Sequence, residues 1–172
     1  MMKIAKGVEW AAHACTLLAV LPRGWTLSAE ALAAYHDVPP AYMAKQMQAL
    51  SKAGLVLSLR GAAGGYCLAK PADEISLWDI TAAISGTAPS FRCTEIRQNG
   101  PCKAQKADCK KPCGIAASFY QAEEAFRASL KTVTITDMAA SAAAASTPEK
   151  VMTIGAWVND NAAQIPADGE MA

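Results

Sequence analysis

The chain has 172 residues, 52% of them apolar and 18% charged, with a net charge of +1. That length and apolar share suit one compact domain with an attached element, and no stretch approaches the ~20 apolar residues of a membrane span. The whole-chain charge gives no sign of a nucleic-acid partner, but its distribution does. Residues 1–70 carry seven Lys/Arg against three Asp/Glu, and residues 71–172 carry nine against twelve. This is a modestly basic head on a mildly acidic body.

The N-terminal run Trp10–Leu21, preceded by Lys3 and Lys6, superficially resembles a signal peptide. His13 interrupts it, however, and Glu9 precedes it. Ile4, Val8, Ala12, Cys15 and Leu18–Ala19 recur at helical period, which predicts an amphipathic helix over about 3–21 and a cytoplasmic protein. Pro22-Arg23-Gly24 ends it. Ser28 is placed to cap a second helix over 29–35, and Asp37-Val38-Pro39-Pro40 forms a turn. A third helix is expected over about 40–53, with Met43, Met47 and Leu50 inside and Gly54 as its stop. Two helices joined by a short turn make a helix-turn-helix.

Leu55–Arg60, Gly61–Gly65 and Tyr66–Ala69 read as strand, glycine-rich turn and strand, a hairpin placed as a wing. A fourth helix is predicted over 77–86 after Ser76. Residues 87–112 show no apolar period and form a long loop. A long helix follows over 114–131 with the stripe Ile115, Phe119, Phe126 and Leu130. Then come a short Ala-rich helix within 134–145, a last helix over about 148–164 and a disordered end at 166–172. The fold class is mainly α with a small β-hairpin wing. The expected domains are the winged helix-turn-helix at 1–75, a connecting helix and cysteine-rich loop at 76–112, a dimerisation region at 113–146 and a C-terminal helix and tail at 147–172.

The third helix is the expected reading element. Tyr42, Lys45, Gln46 and Gln48 lie near its start, where side chains can meet base edges or phosphates. Ser28 opens a helix whose N–H groups can meet a phosphate, and Arg60 at the hairpin tip can enter a minor groove. His36, in the turn, reads as a solvent or phosphate contact. The expected partner is double-stranded DNA.

Of six cysteines, Cys93, Cys102, Cys109 and Cys113 cluster in the loop with the spacing C-x8-C-x6-C-x3-C. From Arg92 to Cys113 six Lys/Arg face Glu95 and Asp108, a balance that stabilises thiolates or an anionic cluster. Zinc, an iron–sulfur cluster and a thiol–disulfide switch all remain open, although only Cys109 and Cys113 have the short spacing of zinc pairs. Cys15 and Cys67 lie on apolar faces and read as core residues. Glu9 and His13, four apart, project from one helix face.

The strings Ser51-Lys52-Ala53-Gly54-Leu55-Val56 and Arg60-Gly61-Ala62-Ala63-Gly64-Gly65-Tyr66 resemble the hallmark of the bacterial Rrf2 family. The resemblance extends over about residues 2–140. It implies a homodimeric winged-helix regulator, no enzyme, whose long helix pairs with its symmetry mate through Ile115, Phe119, Phe126 and Leu130. Its operators should be imperfect palindromes. Val8–His13, Ala44–Leu50 and Phe91–Gln98 are most similar to the redox-sensing [2Fe–2S] members. That similarity implies a [2Fe–2S] cluster held by Cys93 and Cys113 of one subunit with Glu9 and His13 of the other. Cys102 and Cys109 stand as alternative ligands, and Trp10, next to Glu9, as a side chain that moves with redox state. The closely spaced three-cysteine set of other members is not matched.

Overall fold

The computed structural model describes residues 4–61 and 64–165. The order is α1 (Lys6–Leu18), β1 (Trp25–Thr26), α2 (Ala29–His36), α3 (Pro40–Lys52), β2 (Val56–Leu59), β3 (Gly65–Leu68), α4 (Leu77–Ser85), α5 (Gly114–Lys131), α6 (Ile135–Ala144), α7 (Pro148–Asn161) and β4 (Ala163–Gln164). The architecture is mainly α with a β-hairpin, as expected, and each predicted helix forms at its place. The expected disordered end, 166–172, lies outside the described residues.

Local chemistry sets the boundaries. Ser28 Oγ accepts from the Ala31 N–H and starts α2. Asp37, at φ 50°, ends it in the left-handed region, where Asp is tolerated, and turns the chain into α3. Pro40 occupies the first turn of α3, where a missing N–H costs nothing. Ser76 with Asp79 and Thr134 with Asp137 form reciprocal capping boxes on α4 and α6. The two helix starts are laced together, since Leu77 N–H donates to Val133 and Ile135 N–H donates to Ile75.

The hairpin pairs Val56 with Leu68 and Leu59 with Gly65. It is tied to β1 by reciprocal bonds between Leu27 and Tyr66. A side chain at Gly65 would lie 2.8 Å from the Leu27 carbonyl, so only glycine allows this approach. The strands β1 and β4, too short to be read from the sequence, pair Trp25 with Gln164 and bring the C-terminal end back to the head.

One core holds the molecule together. Leu17, Leu18, Leu32, Met43, Met47 and Leu50 meet Val56, Ile75, Ile80, Ile135 and Val158 in it. The buried face of α1 runs through Val8, Ala11, Ala14, Cys15 and Leu18, rotated from the expected one: Ile4 is exposed, before the helix begins. Cys15 is buried as expected, while Cys67 is only half-buried. Of α5, only Ala116 is fully buried. Ile115 is 70% and Phe119 53% exposed, whereas Phe126 and Leu130 are half-buried. An amphipathic helix without a partner for part of its apolar face is the result.

Candidate functional site

The apolar period of α3 divides its faces. Met43, Met47 and Leu50 face inward. Ala41, Tyr42, Lys45, Gln48 and Lys52 face out, with Tyr42 57% exposed. This is a stripe of small, polar and basic residues of the kind that enters a groove. Lys52 was not among the expected contacts, although it continues the spacing of Lys45 and Gln48. Gln46 departs from expectation. It is only 7% exposed, with its amide against Gly7, where an added Cβ would lie 2.7 Å from Gln46 Oε1. Its place between Met43 and Leu50 on the helix turns it inward, so it packs α3 on α1 instead of reading bases. Arg60 is exposed at the end of β2 beside the glycine turn. The Ser28 hydroxyl already accepts the Ala31 N–H, which leaves the cap and not a free side chain at the head of α2.

Glu9 and His13 are both exposed on α1, one turn apart. Between them Trp10 meets Tyr42 of α3 edge-on, with ring centroids 6.0 Å apart. The helix that carries the candidate ligands thus touches the outward face of α3 through one aromatic pair. On the opposite flank His13 lies against His36, 5.5 Å between centroids. His36 is not the free surface contact expected. Its ring also packs on Tyr35 at 4.8 Å, and its Nε2 is buried without a hydrogen-bond partner. Burial, and then the nearby charge of His13, hold its pKa below the ordinary histidine value. The sequence separation of 23 residues between the two histidines hid this pair.

The cysteine loop carries two 3₁₀ turns, at Ile96–Gln98 and Lys106–Cys109. Cys93 is exposed, and its sulfur accepts from the Glu95 N–H at 3.4 Å. Cys113 is the N-cap of α5, and its sulfur accepts from the Ala116 N–H at 3.5 Å. In both cases a backbone N–H points at the sulfur, and at Cys113 it belongs to the first turn of α5. Arg97 organises the loop. It binds Glu95 through two bonds and donates to the Lys111 carbonyl at 3.0 Å. The Glu95 carboxylate raises the guanidinium pKa against its desolvation, and the thiols of Cys109 and Cys113 contribute. Cys102 is exposed and Cys109 half-buried. Among the described residues, no three His, Cys, Asp or Glu side chains of one chain gather at metal-binding distance. The donor types suit a [2Fe–2S] group held through two thiolates, an imidazole and a carboxylate, with Glu9 and His13 one turn apart on α1 and Cys93 and Cys113 near the two ends of the loop.

Phe91 stacks on Phe119 at 4.7 Å and meets Tyr120 at 5.5 Å, fixing the start of the loop to the exposed face of α5. Arg127 lies over Trp78, and with Glu123 it anchors the loop's first residues, Thr87 and Ser90, by hydrogen bonds.

Residues 4–141 match the model of a family described as Rrf2, iron-dependent transcriptional regulators. The chain belongs to the Rrf2 family. YffB of Lactococcus lactis, described as an HTH-type transcriptional regulator, is 30% identical over 138 residues, covering 80% of this chain and 87% of its own. YwgB of Bacillus subtilis, with the same description, is 37% identical over 91 residues; the match covers 53% of this chain and 58% of that relative. Among solved structures, T. potens IscR superposes with a TM-score of 0.64 at 23% identity, over 88% of this chain and 96% of its own. CymR, the global cysteine regulator of B. subtilis, gives 0.63 at 23% identity, over 81% and 98%. At such identities these two structures establish the Rrf2 fold alone. Membership makes the chain a DNA-binding transcriptional regulator and not an enzyme. No helix among the described residues is long and apolar enough to cross a membrane.

Proposed function

We propose that this Rrf2 protein is a cytoplasmic, homodimeric redox regulator nearest in kind to RsrR. It holds a [2Fe–2S] cluster through Cys93 and Cys113 of one subunit and Glu9 and His13 of its partner. The observation that carries this reading is the Trp10–Tyr42 contact, because it joins the candidate ligands on α1 directly to the outward face of α3. When bound, the cluster supplies a one-electron change at its ligands, with a potential raised by histidine ligation.

The chain's own residues do the rest. Glu9 and His13 fix the azimuth of α1 at the subunit interface. Trp10 passes a rotation of α1 to Tyr42, and Gln46, wedged against Gly7, couples the same two helices from beneath. Tyr42, Lys45, Gln48 and Arg60 contact DNA, with the α2 start capped by Ser28 nearby. Ile115 and Phe119, with the half-buried Phe126 and Leu130, form the apolar seam between the two long helices. A two-fold dimer presents its reading helices to half-sites in an imperfect palindrome, and their spacing tolerates little change. The four domains expected from the sequence become head, connecting loop, dimer helix and C-terminal support.

A second reading has one observation in its favour. Arg97 sits within electrostatic reach of Cys109 and Cys113, an arrangement that also suits a thiol–disulfide switch or a structural zinc site in the loop.

Anaerobic purification separates the readings. A red-brown protein with two iron atoms per chain, whose visible absorption bleaches on dithionite and returns with air, supports the cluster. Its operator affinity must differ between the two states. Colourless protein with stoichiometric zinc, or with no metal, overturns it.

A further inference from the structure

Between α1 and α2 on one side and α6 and α7 on the other lies a cavity of about 420 Å³. That volume falls within the range of small-molecule pockets, roughly 300–1,000 Å³. Ala139, Ala142 and Gly155 among its lining residues leave space, and the rings of Tyr35 and His36 supply aromatic surface. A planar ring can stack on such surface.

Its polarity is equally one-sided. No Asp, Glu, Lys or Arg lines it. A charged guest would lose its hydration without gaining a counter-charge, so the cavity favours an uncharged one. Two lining hydroxyls are already committed, Thr16 to the Ala12 carbonyl and Ser146 to the Ala142 carbonyl. His36 Nε2 is the buried lining atom without a partner among the described residues. A buried polar nitrogen left unpaired is costly, and a guest with one hydrogen-bonding group would relieve that cost.

Tyr35 ties the cavity's lining to the DNA head. Trp157 of α7 packs on Tyr35 at 4.7 Å, and β4 behind it pairs with β1. Tyr35 and His36 are the last residues of α2, immediately before the Asp37 turn into α3. The family match ends at residue 141, so α7 lies beyond the matched region.

We propose that this cavity is an effector site for a small, uncharged, planar aromatic molecule bearing one hydrogen-bonding group that meets His36, and that its occupancy changes operator affinity through the end of α2. The inference goes beyond redox sensing, and it shares one residue with that reading, since His13 also lines the cavity.

The probe is 1-naphthol, with naphthalene as its counterpart lacking the hydroxyl, titrated calorimetrically into the full-length protein. Saturable binding of 1-naphthol at one site per chain is expected, with naphthalene about fivefold weaker, the worth of one hydrogen bond. His36→Phe should erase that preference. Gly155→Leu should abolish binding of both, because Gly155 lines the cavity and an added Cβ there meets nothing within 4 Å. Ala142→Leu, from α6, does the same should Gly155→Leu fail to fold. Saturating 1-naphthol should shift the operator Kd by about fivefold or more, the lower range of allosteric couplings. Absence of saturable binding, or binding untouched by a folded filling variant, overturns the site. Binding with an unchanged operator Kd overturns its role as an effector site.

Discussion

Trp10→Leu interrupts the one ring contact between the ligand-bearing helix and the outward face of α3. The pair is edge-on at 6.0 Å. Aromatic pairs of this geometry contribute about 0.5–1.5 kcal/mol beyond their buried area. Tyr42 is 57% exposed, so water competes for part of its surface, and the lower range applies. A coupling of about 0.5–1 kcal/mol corresponds to about a two- to fivefold loss of operator affinity. Fluorescence anisotropy with a labelled operator at fixed salt reads this, with melting curves confirming the fold. The decisive comparison is a double-mutant cycle. Once Tyr42 is Leu, Trp10→Leu should cost almost nothing more, because its effect passes through that ring. Additive losses, with a coupling below about 0.3 kcal/mol, would refute the transmission route, since uncoupled sites add to within about that margin.

Five further outcomes follow from particular residues. Phe119→Asp removes a large apolar side chain from each half of a two-fold seam; at about 1.5–3 kcal/mol per burial, doubled by symmetry, it should weaken dimerisation at least a hundredfold in analytical ultracentrifugation. Lys45→Ala should lower the salt slope of DNA binding by about one, while Gln46→Ala should lower the melting temperature and leave sequence preference unchanged, since Gln46 packs beneath Gly7. Partial burial raises the Asp79 pKa, but hydrogen bonds from Ser76 outweigh it, with help from Lys70 and Lys131, and leave it below the ordinary value. That contribution is therefore complete at neutral pH and lost as pH falls below about 4 through the folded-state value; Ser76→Ala should cost about 1 kcal/mol and flatten the acid limb of the melting curve. Burial pushes the Cys15 thiol up to about 12, so in native protein at pH 8 iodoacetamide should label the exposed Cys102 and spare Cys15, as read by mass spectrometry.

The elements were legible because each carries a local signal. Ser28, Asp37-Val38-Pro39-Pro40, Ser76 and the alternation of Met43, Met47 and Leu50 place helix starts, turns and faces without reference to the rest of the chain. The wing announced itself through Gly61 to Gly65. What stayed hidden depends on contacts between distant segments. Gln46 looks like a base reader until α1 covers it, and His36 looks free until His13 arrives beside it. The strands β1 and β4 have only two residues each, too few for any period, and they exist because the chain returns to Thr26 after 137 residues. The cavity beneath α7 has no sequence signature, because its walls come from four helices. Within the candidate site, the residue types at 9, 13, 93 and 113 were legible; the cluster proposed above needs them to meet across two subunits, which one chain's sequence does not encode locally.

The central claim is that each cluster is held by donors from two subunits, and mixed dimers test it most directly. One variant carries Glu9→Ala and His13→Ala, the other Cys93→Ala and Cys113→Ala. Each homodimer should be colourless. When the two are co-expressed, a heterodimer regains one site of its two with all four donors intact, contributed by opposite subunits. The account predicts that the visible absorption returns in the heterodimer and bleaches reversibly on reduction. A heterodimer that stays colourless, or a Glu9→Ala/His13→Ala homodimer that keeps the wild-type spectrum, would contradict it.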